Sequence, residues 1–114
     1  MINATLATTN GLEPWAANVD FSIEGTNWST TLNPAYLHYK NLVSNPRVVI
    51  VYKASDHEII ARGLAEMPYE SAAKPSRITI NTTWLRLVEN GKIQDYDSKS
   101  DIYEVLKNTL LQSN

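Results

Sequence analysis

Near the start of the chain, between two turn signals, apolar and polar side chains alternate strictly. Trp15, Ala17, Val19, Phe21 and Ile23 are apolar, and Asn18, Asp20 and Ser22 stand between them. A helix repeats every 3.6 residues, so a period of two predicts a strand with one face buried and the other wet. Asn10-Gly11, the dipeptide that most favours a tight hairpin, precedes this segment, and Glu24-Gly25-Thr26-Asn27 turns the chain after it. Residues 4–9 then read as the strand before and residues 28–32 as the strand after. Three strands on short turns make an antiparallel meander.

Asn33-Pro34 predicts the start of a helix, with the Asn33 side chain as cap and Pro34 at the first helical position, where a missing N–H costs nothing. Tyr36, Tyr39, Leu42 and Val43 share one helical face, and Asn45-Pro46 ends the helix. Residues 47–53 form an unbroken apolar strand expected to be buried on both faces. After the turn at Ala54-Ser55-Asp56-His57 the chain returns as a strand over residues 58–67. Gly63 inside that strand signals a bulge or a close backbone approach. A loop over residues 68–76 leads to a long strand over residues 77–88. There the apolar parity changes between Ile78/Ile80 and Leu85/Leu87, which predicts a bulge near Thr82-Thr83. Glu89-Asn90-Gly91-Lys92 is another hairpin, followed by a short edge strand over residues 93–96. Asp101-Ile102-Tyr103-Glu104 resembles a capping box, and Ile102, Val105, Leu106 and Leu110 form the apolar stripe of a last helix. A strand-rich chain interrupted by one helix suggests a small barrel or a sheet closed over a helix.

With 114 residues the chain is one domain over 1–114, and it buries only about two thirds of its surface alone, so a dimer interface would add stability. The apolar fraction of 43% is that of a globular fold. A formal charge of −2 with interspersed signs argues against a nucleic-acid-binding arm or a polybasic membrane patch. The absence of cysteine removes disulfides, thiolate nucleophiles and Cys-type metal sites. The opening Met1-Ile2-Asn3-Ala4-Thr5 has no positively charged leader region and Val48-Val49-Ile50-Val51-Tyr52 is too short to span a bilayer, so the expected setting is cytoplasmic. Two histidines without a spacing motif give no metal site, and no nucleophile–base set is legible.

Three segments in order resemble the pyridoxamine 5′-phosphate oxidase-like family. They are Ala4-Thr5-Leu6-Ala7-Thr8-Thr9-Asn10-Gly11 running on to Pro14-Trp15, then Trp28-Ser29-Thr30-Thr31-Leu32, then Lys40-Asn41-Leu42-Val43-Ser44-Asn45-Pro46-Arg47-Val48. Arg62-Gly63-Leu64-Ala65 is similar to the glycine-bearing strand that follows. The resemblance runs over residues 4–67. It implies a mainly β (α+β) fold, a six- to seven-stranded antiparallel split β-barrel with a helix between strands 3 and 4 and a C-terminal helix. It also implies a homodimer binding FMN at the subunit interface and acting as an oxidoreductase on a small molecule. The second strand would lie along the flavin ring, which points to Asn18, Val19 and Asp20. The third strand and the start of the helix would hold the phosphate, which points to Thr30, Thr31, His38 and Lys40, where helix N–H groups suit an anion. Trp84, with Arg86, echoes the family's C-terminal aromatic and basic cluster, the rest of which is missing. Pyridoxamine phosphate oxidase activity itself is therefore not expected.

The departure at the phosphate is specific. The family's Ser-Arg-Lys falls on Tyr36-Leu37-His38, so two cations are replaced by a leucine and a histidine. His38 would serve if protonated, with Lys40 or Arg47 nearby. The alternative reading is a dimeric ligand-binding module of the same fold that has lost tight FMN binding. Trp15, Trp28 and Trp84 read first as core or dimer-interface aromatics.

Overall fold

The computed structural model describes residues 1–33, 36–67 and 76–111, Leu111 by its backbone alone. Its strands are β1 (Ile2–Thr9), β2 (Pro14–Glu24), β3 (Asn27–Leu32), β4 (Arg47–Lys53), β5 (His57–Glu66), β6 (Ser76–Glu89) and β7 (Lys92–Tyr96). Helix α1 (Leu37–Ser44) lies between β3 and β4, and α2 (Lys99–Leu106) follows β7. All described pairings are antiparallel, in the order β3-β2-β1-β4-β5-β6-β7, and β3 also pairs with β6. That extra ladder closes six strands into a barrel. One edge of β6 serves two partners in turn: Ser76 to Asn81 face β3, and Leu85 to Glu89 face β7.

The hairpin turns carry the predicted chemistry. Gly11, Gly25, Asn90 and Gly91 all adopt positive φ, the conformation such turns require. The predicted bulge also lies where the parity change put it. Arg62 faces Trp84 and Gly63 faces Thr82, which leaves Thr83 as the extra residue on β6. A Cβ on Gly63 would sit 2.6 Å from the Asn81 carbonyl oxygen, so β5 approaches β6 more closely than any other residue permits.

Inside the barrel Trp28 is fully buried. It meets Phe21 edge-on at 5.6 Å and donates its indole N–H to Thr82 Oγ1 at 3.0 Å. Ile102, Val105, Leu106 and Leu110, the predicted stripe, are all buried. The structure departs from sequence expectation at four places. First, α1 begins at Leu37, with Tyr36 as its cap residue and no side-chain cap; Asn33 instead accepts a backbone turn bond from Tyr36 N–H at 3.0 Å, and Pro34 lies outside the described residues. Second, the buried face of α1 is Tyr39, Asn41 and Leu42, while Tyr36 and Val43 are exposed, because Asn41 turns inward to donate to the buried Thr8 hydroxyl at 3.1 Å. Third, β4 is buried on one face only: Val48 and Ile50 point into the core, and Val49 and Val51 are half-exposed because no described layer covers them. Fourth, α2 starts earlier than expected, with Ser98 as the cap accepting from Asp101 N–H at 3.2 Å, so the box begins three residues before Asp101. Of the expected loop over residues 68–76, only Ser76 is described, and it already belongs to β6. Among the described residues no helix is long and apolar enough to cross a membrane.

Candidate functional site

Register across the barrel fixes what its outer surface presents. Outward side chains on β1 meet those on β2 as Asn3–Asp20, Thr5–Asn18 and Ala7–Ala16. On the other side Thr5 and Ala7 meet Val51 and Val49 of β4, which in turn meet Ile60 and Arg62 of β5. These face Arg86 and Trp84 of β6. The outer face is therefore polar along β2 and becomes aliphatic, aromatic and basic toward β6.

A groove of about 470 Å³ opens in the aliphatic part, walled by Ala7, Thr9, Pro14, Val49, Gly63 and Leu64, with Arg47, Arg62 and Thr83 also lining it. The bulge shapes it. Thr83 donates its hydroxyl to the Arg62 carbonyl at 3.3 Å, and the Arg62 guanidinium lies 4.2 Å above the Trp84 ring. Arg86 approaches the same ring at 5.4 Å and grips Asp95 through two bonds of 2.7 and 3.0 Å. That hydrogen-bonded pairing holds the Asp95 carboxyl below the usual carboxylate range.

A second opening has different chemistry. The β2–β3 ladder runs only from Glu24–Asn27 to Ser22–Ser29, although β2 continues back to Pro14 and β3 on to Leu32. The strands diverge there, and the wedge between them holds a pocket of about 100 Å³ lined by Met1, Ser22, Ser29, Thr30, Thr31 and Arg77. The same divergence explains why Trp15, on the inward parity of β2, is 44% exposed: that half of β2 has no β3 beside it.

Of the residues singled out from sequence, Asn18 and Asp20 point outward side by side on β2. They accept hydrogen bonds from Thr5 Oγ1 at 3.1 Å and Asn3 Nδ2 at 3.0 Å. Val19 and Thr30 are buried with inward parity, so they offer a ligand their backbone rather than their side chains. Thr31 is exposed and lines the wedge. Lys40 is exposed on α1. Trp84 shares the outer face with Asn18, but neither the groove nor the wedge is lined by the two together.

His38 stands in the first turn of α1, its ring 5.3 Å from that of Tyr36. Its Nε2 is buried and has no hydrogen-bond partner among the described residues. Burial lowers its pKa below the ordinary histidine value, because an imidazolium there would lose hydration. The expected cation at this position is thus neutral at pH 7, and Leu37 beside it is apolar, so the first two residues of α1 supply no charge. The groove residues Arg62 and Thr83 and the wedge residues Ser22, Ser29 and Arg77 were not singled out as ligand contacts from sequence. Ser22 was within reach, since parity puts it on the face of Asn18 and Asp20. Arg77 was not, because its neighbour Thr31 lies across a ladder between distant segments. Among the described residues no cluster of three or more His, Asp or Glu can hold a metal ion.

No family model matches the chain, and no curated protein matches it. Solved structures do. A heme-binding protein from Mycobacterium smegmatis superposes with a TM-score of 0.73 at 20% identity, over 91% of this chain and 55% of its own. The chain thus spans little more than half of that protein. A Clostridium acetobutylicum protein related to general stress protein 26 of B. subtilis, of the pyridoxinephosphate oxidase family, gives 0.72 at 9% identity over 90% and 89% of the two chains. An FAD-binding protein from Mesorhizobium loti gives 0.67 at 10% identity over 85% and 87%. At such identities the likeness is one of fold. The fold is the split β-barrel of the pyridoxamine 5′-phosphate oxidase-like proteins.

Proposed function

We propose that this chain is a homodimeric flavin-binding protein that takes FMN and acts as an oxidoreductase on a small molecule. The observation that carries this reading is the polar edge of β2. Asn18 and Asp20 offer hydrogen-bonding groups on the open outer face, and the same side of the strand runs on through Ser22 into the hydroxyl-lined wedge. An extended, flat ligand with a polar rim and an anionic tail matches that sequence of groups. Proteins of this fold include an FAD-binding protein and a member of the pyridoxinephosphate oxidase family, which supports a flavin as the ligand class.

Bound flavin supplies the electron-transfer chemistry, so the chain's own task is binding, orientation and exclusion of water. The second copy enters through the aliphatic half of the face. Val49, Val51, Ile60, Leu64, Trp84 and Ile93 stand outward there on neighbouring strands, and Leu64 and Ile93 are among the exposed large apolar residues. A surface of this kind is stabilised by burial against a second copy, commonly over about 2,000 Å² in an obligate dimer.

The lack of a cation at the first two residues of α1 favours one competing reading, a dimeric module of this fold that binds another ligand without flavin chemistry. Fluorescence-quenching titration with FMN, run beside light scattering, separates the two. Saturable FMN binding by a dimer is expected. A protein that remains colourless and unsaturated at millimolar FMN overturns the flavin reading and leaves the module.

A further inference from the structure

We infer that Arg77, with the hydroxyls of Ser22, Ser29 and Thr31, is the site that takes the phosphate of the bound flavin, replacing the cations missing at Leu37 and His38. This rests on the flavin reading above and assigns the anion its place.

The wedge supplies the chemistry. Thr31 of β3 faces Arg77 of β6 directly across the ladder that closes the barrel, and Ser22 faces Ser29 where the β2–β3 ladder ends. These four residues line one pocket of about 100 Å³. Among the described residues none of their side chains has a hydrogen-bond or ion-pair partner, and none belongs to the residues whose partners go undescribed. Ser29 is 6% exposed as a residue, and its hydroxyl, which has no protein partner among the described residues, opens into the pocket. Three hydroxyls and a guanidinium fork around one small opening form a donor set for a tetrahedral oxyanion. Charge-assisted bonds are about twice as strong as neutral ones, and the fork of Arg matches phosphate geometry.

Position agrees with chemistry. Asn18, Asp20 and Ser22 are successive outward residues of β2, and Ser22 lies about 13 Å from Asn18 along the strand. A ring against Asn18 and Asp20 has the wedge within reach of its tail, past the Asp20 carboxylate, which already accepts from Asn3 Nδ2 at 3.0 Å. The groove cannot play this part, because Arg47 and Arg62 border aliphatic walls there and Arg62 is spread over Trp84.

The test compares FMN with riboflavin, which lacks only the phosphate, in wild type, Arg77→Gln and Arg77→Lys. Wild type is expected to bind FMN about tenfold to hundredfold tighter than riboflavin, as loss of a charged hydrogen bond implies. Arg77→Gln should bring that ratio close to one while leaving riboflavin affinity unchanged, which also reports that the variant is folded. Arg77→Lys should keep part of the preference. A preference for FMN that survives in Arg77→Gln overturns the assignment and leaves the flavin reading standing. Equal binding of FMN and riboflavin by wild type overturns it as well. Binding of neither flavin removes the flavin reading itself, and the phosphate site with it.

Discussion

The two openings on the outer surface lie toward opposite ends of β1. The groove touches Ala7, Thr8 and Thr9, and the wedge touches Met1, about 20–26 Å away along the strand. Both contain arginine, but the surroundings differ. Arg47 and Arg62 border valine, leucine, alanine and proline, and the groove's Thr8, Thr9 and Thr83 hydroxyls are already bonded within the protein, whereas Arg77 borders three hydroxyls with no partner among the described residues. Aliphatic walls gain from losing water, so the groove suits a flat apolar surface or a second copy. Hydroxyls without protein partners beside a guanidinium can all donate to one acceptor, so the wedge suits an anion. An arginine's presence therefore says little about a site until its neighbours are known.

The comparison breaks most severely if the floor under the wedge is removed. Trp28→Ala deletes the largest fully buried side chain, beneath β3, and leaves the Thr82 hydroxyl unpaired. Urea denaturation should show a loss of about 3–5 kcal/mol, enough to unfold much of a chain this short. A loss below about 1 kcal/mol would mean that Trp28 is not the packed centre found here.

Gly63→Ala attacks the groove end alone. The added methyl meets the Asn81 carbonyl oxygen at 2.6 Å and Ile80 Cγ2 at 2.7 Å, and one of these is backbone that cannot swing aside. Overpacking of this kind costs about 1–3 kcal/mol, read by the same denaturation. The wedge should keep its preference for FMN over riboflavin. If that preference vanishes too, the two openings are one coupled site.

Leu64→Asp sharpens the assignment of the groove side to a second copy. Leu64 is 45% exposed and bordered by Arg47 across the β4–β5 ladder, so the substitution should spare the fold. Sedimentation should show dimer weakened by about 2 kcal/mol or more if the residue is central to the interface. An undisturbed dimer would move the interface elsewhere.

The smallest expected effect concerns His38. Its folded-state pKa lies below the unfolded value near 6.5 because burial disfavours the imidazolium. Below the unfolded pKa the unfolded chain binds the proton that the folded chain refuses, so stability falls as pH drops from about 7 toward 5.5. His38→Asn should flatten that dependence in thermal melts taken across the range. An unchanged slope would place the titration in another group.

Local patterns fixed a large part of this protein. Alternation in β2, turn residues at Asn10-Gly11 and Asn90-Gly91, the parity slip at Thr83 and the stripe from Ile102 to Leu110 are each legible within a dozen residues, because backbone conformation and burial periodicity are local properties. The same reasoning placed Asn18 and Asp20 on an outward face. What it did not reach depends on ladders between distant segments. The short β2–β3 ladder exposed Trp15 and opened the wedge; the β3–β6 ladder set Arg77 beside Thr31; the inward turn of Asn41 needed the buried Thr8 hydroxyl from a strand far earlier in the chain. Burial, and with it the neutral state of His38, follows from which surfaces the closed barrel leaves uncovered. The sequence by itself determined the strands, their faces and their turns, and only barrel closure decided which side chains meet, since strand partners are chosen by long-range packing that no local period encodes.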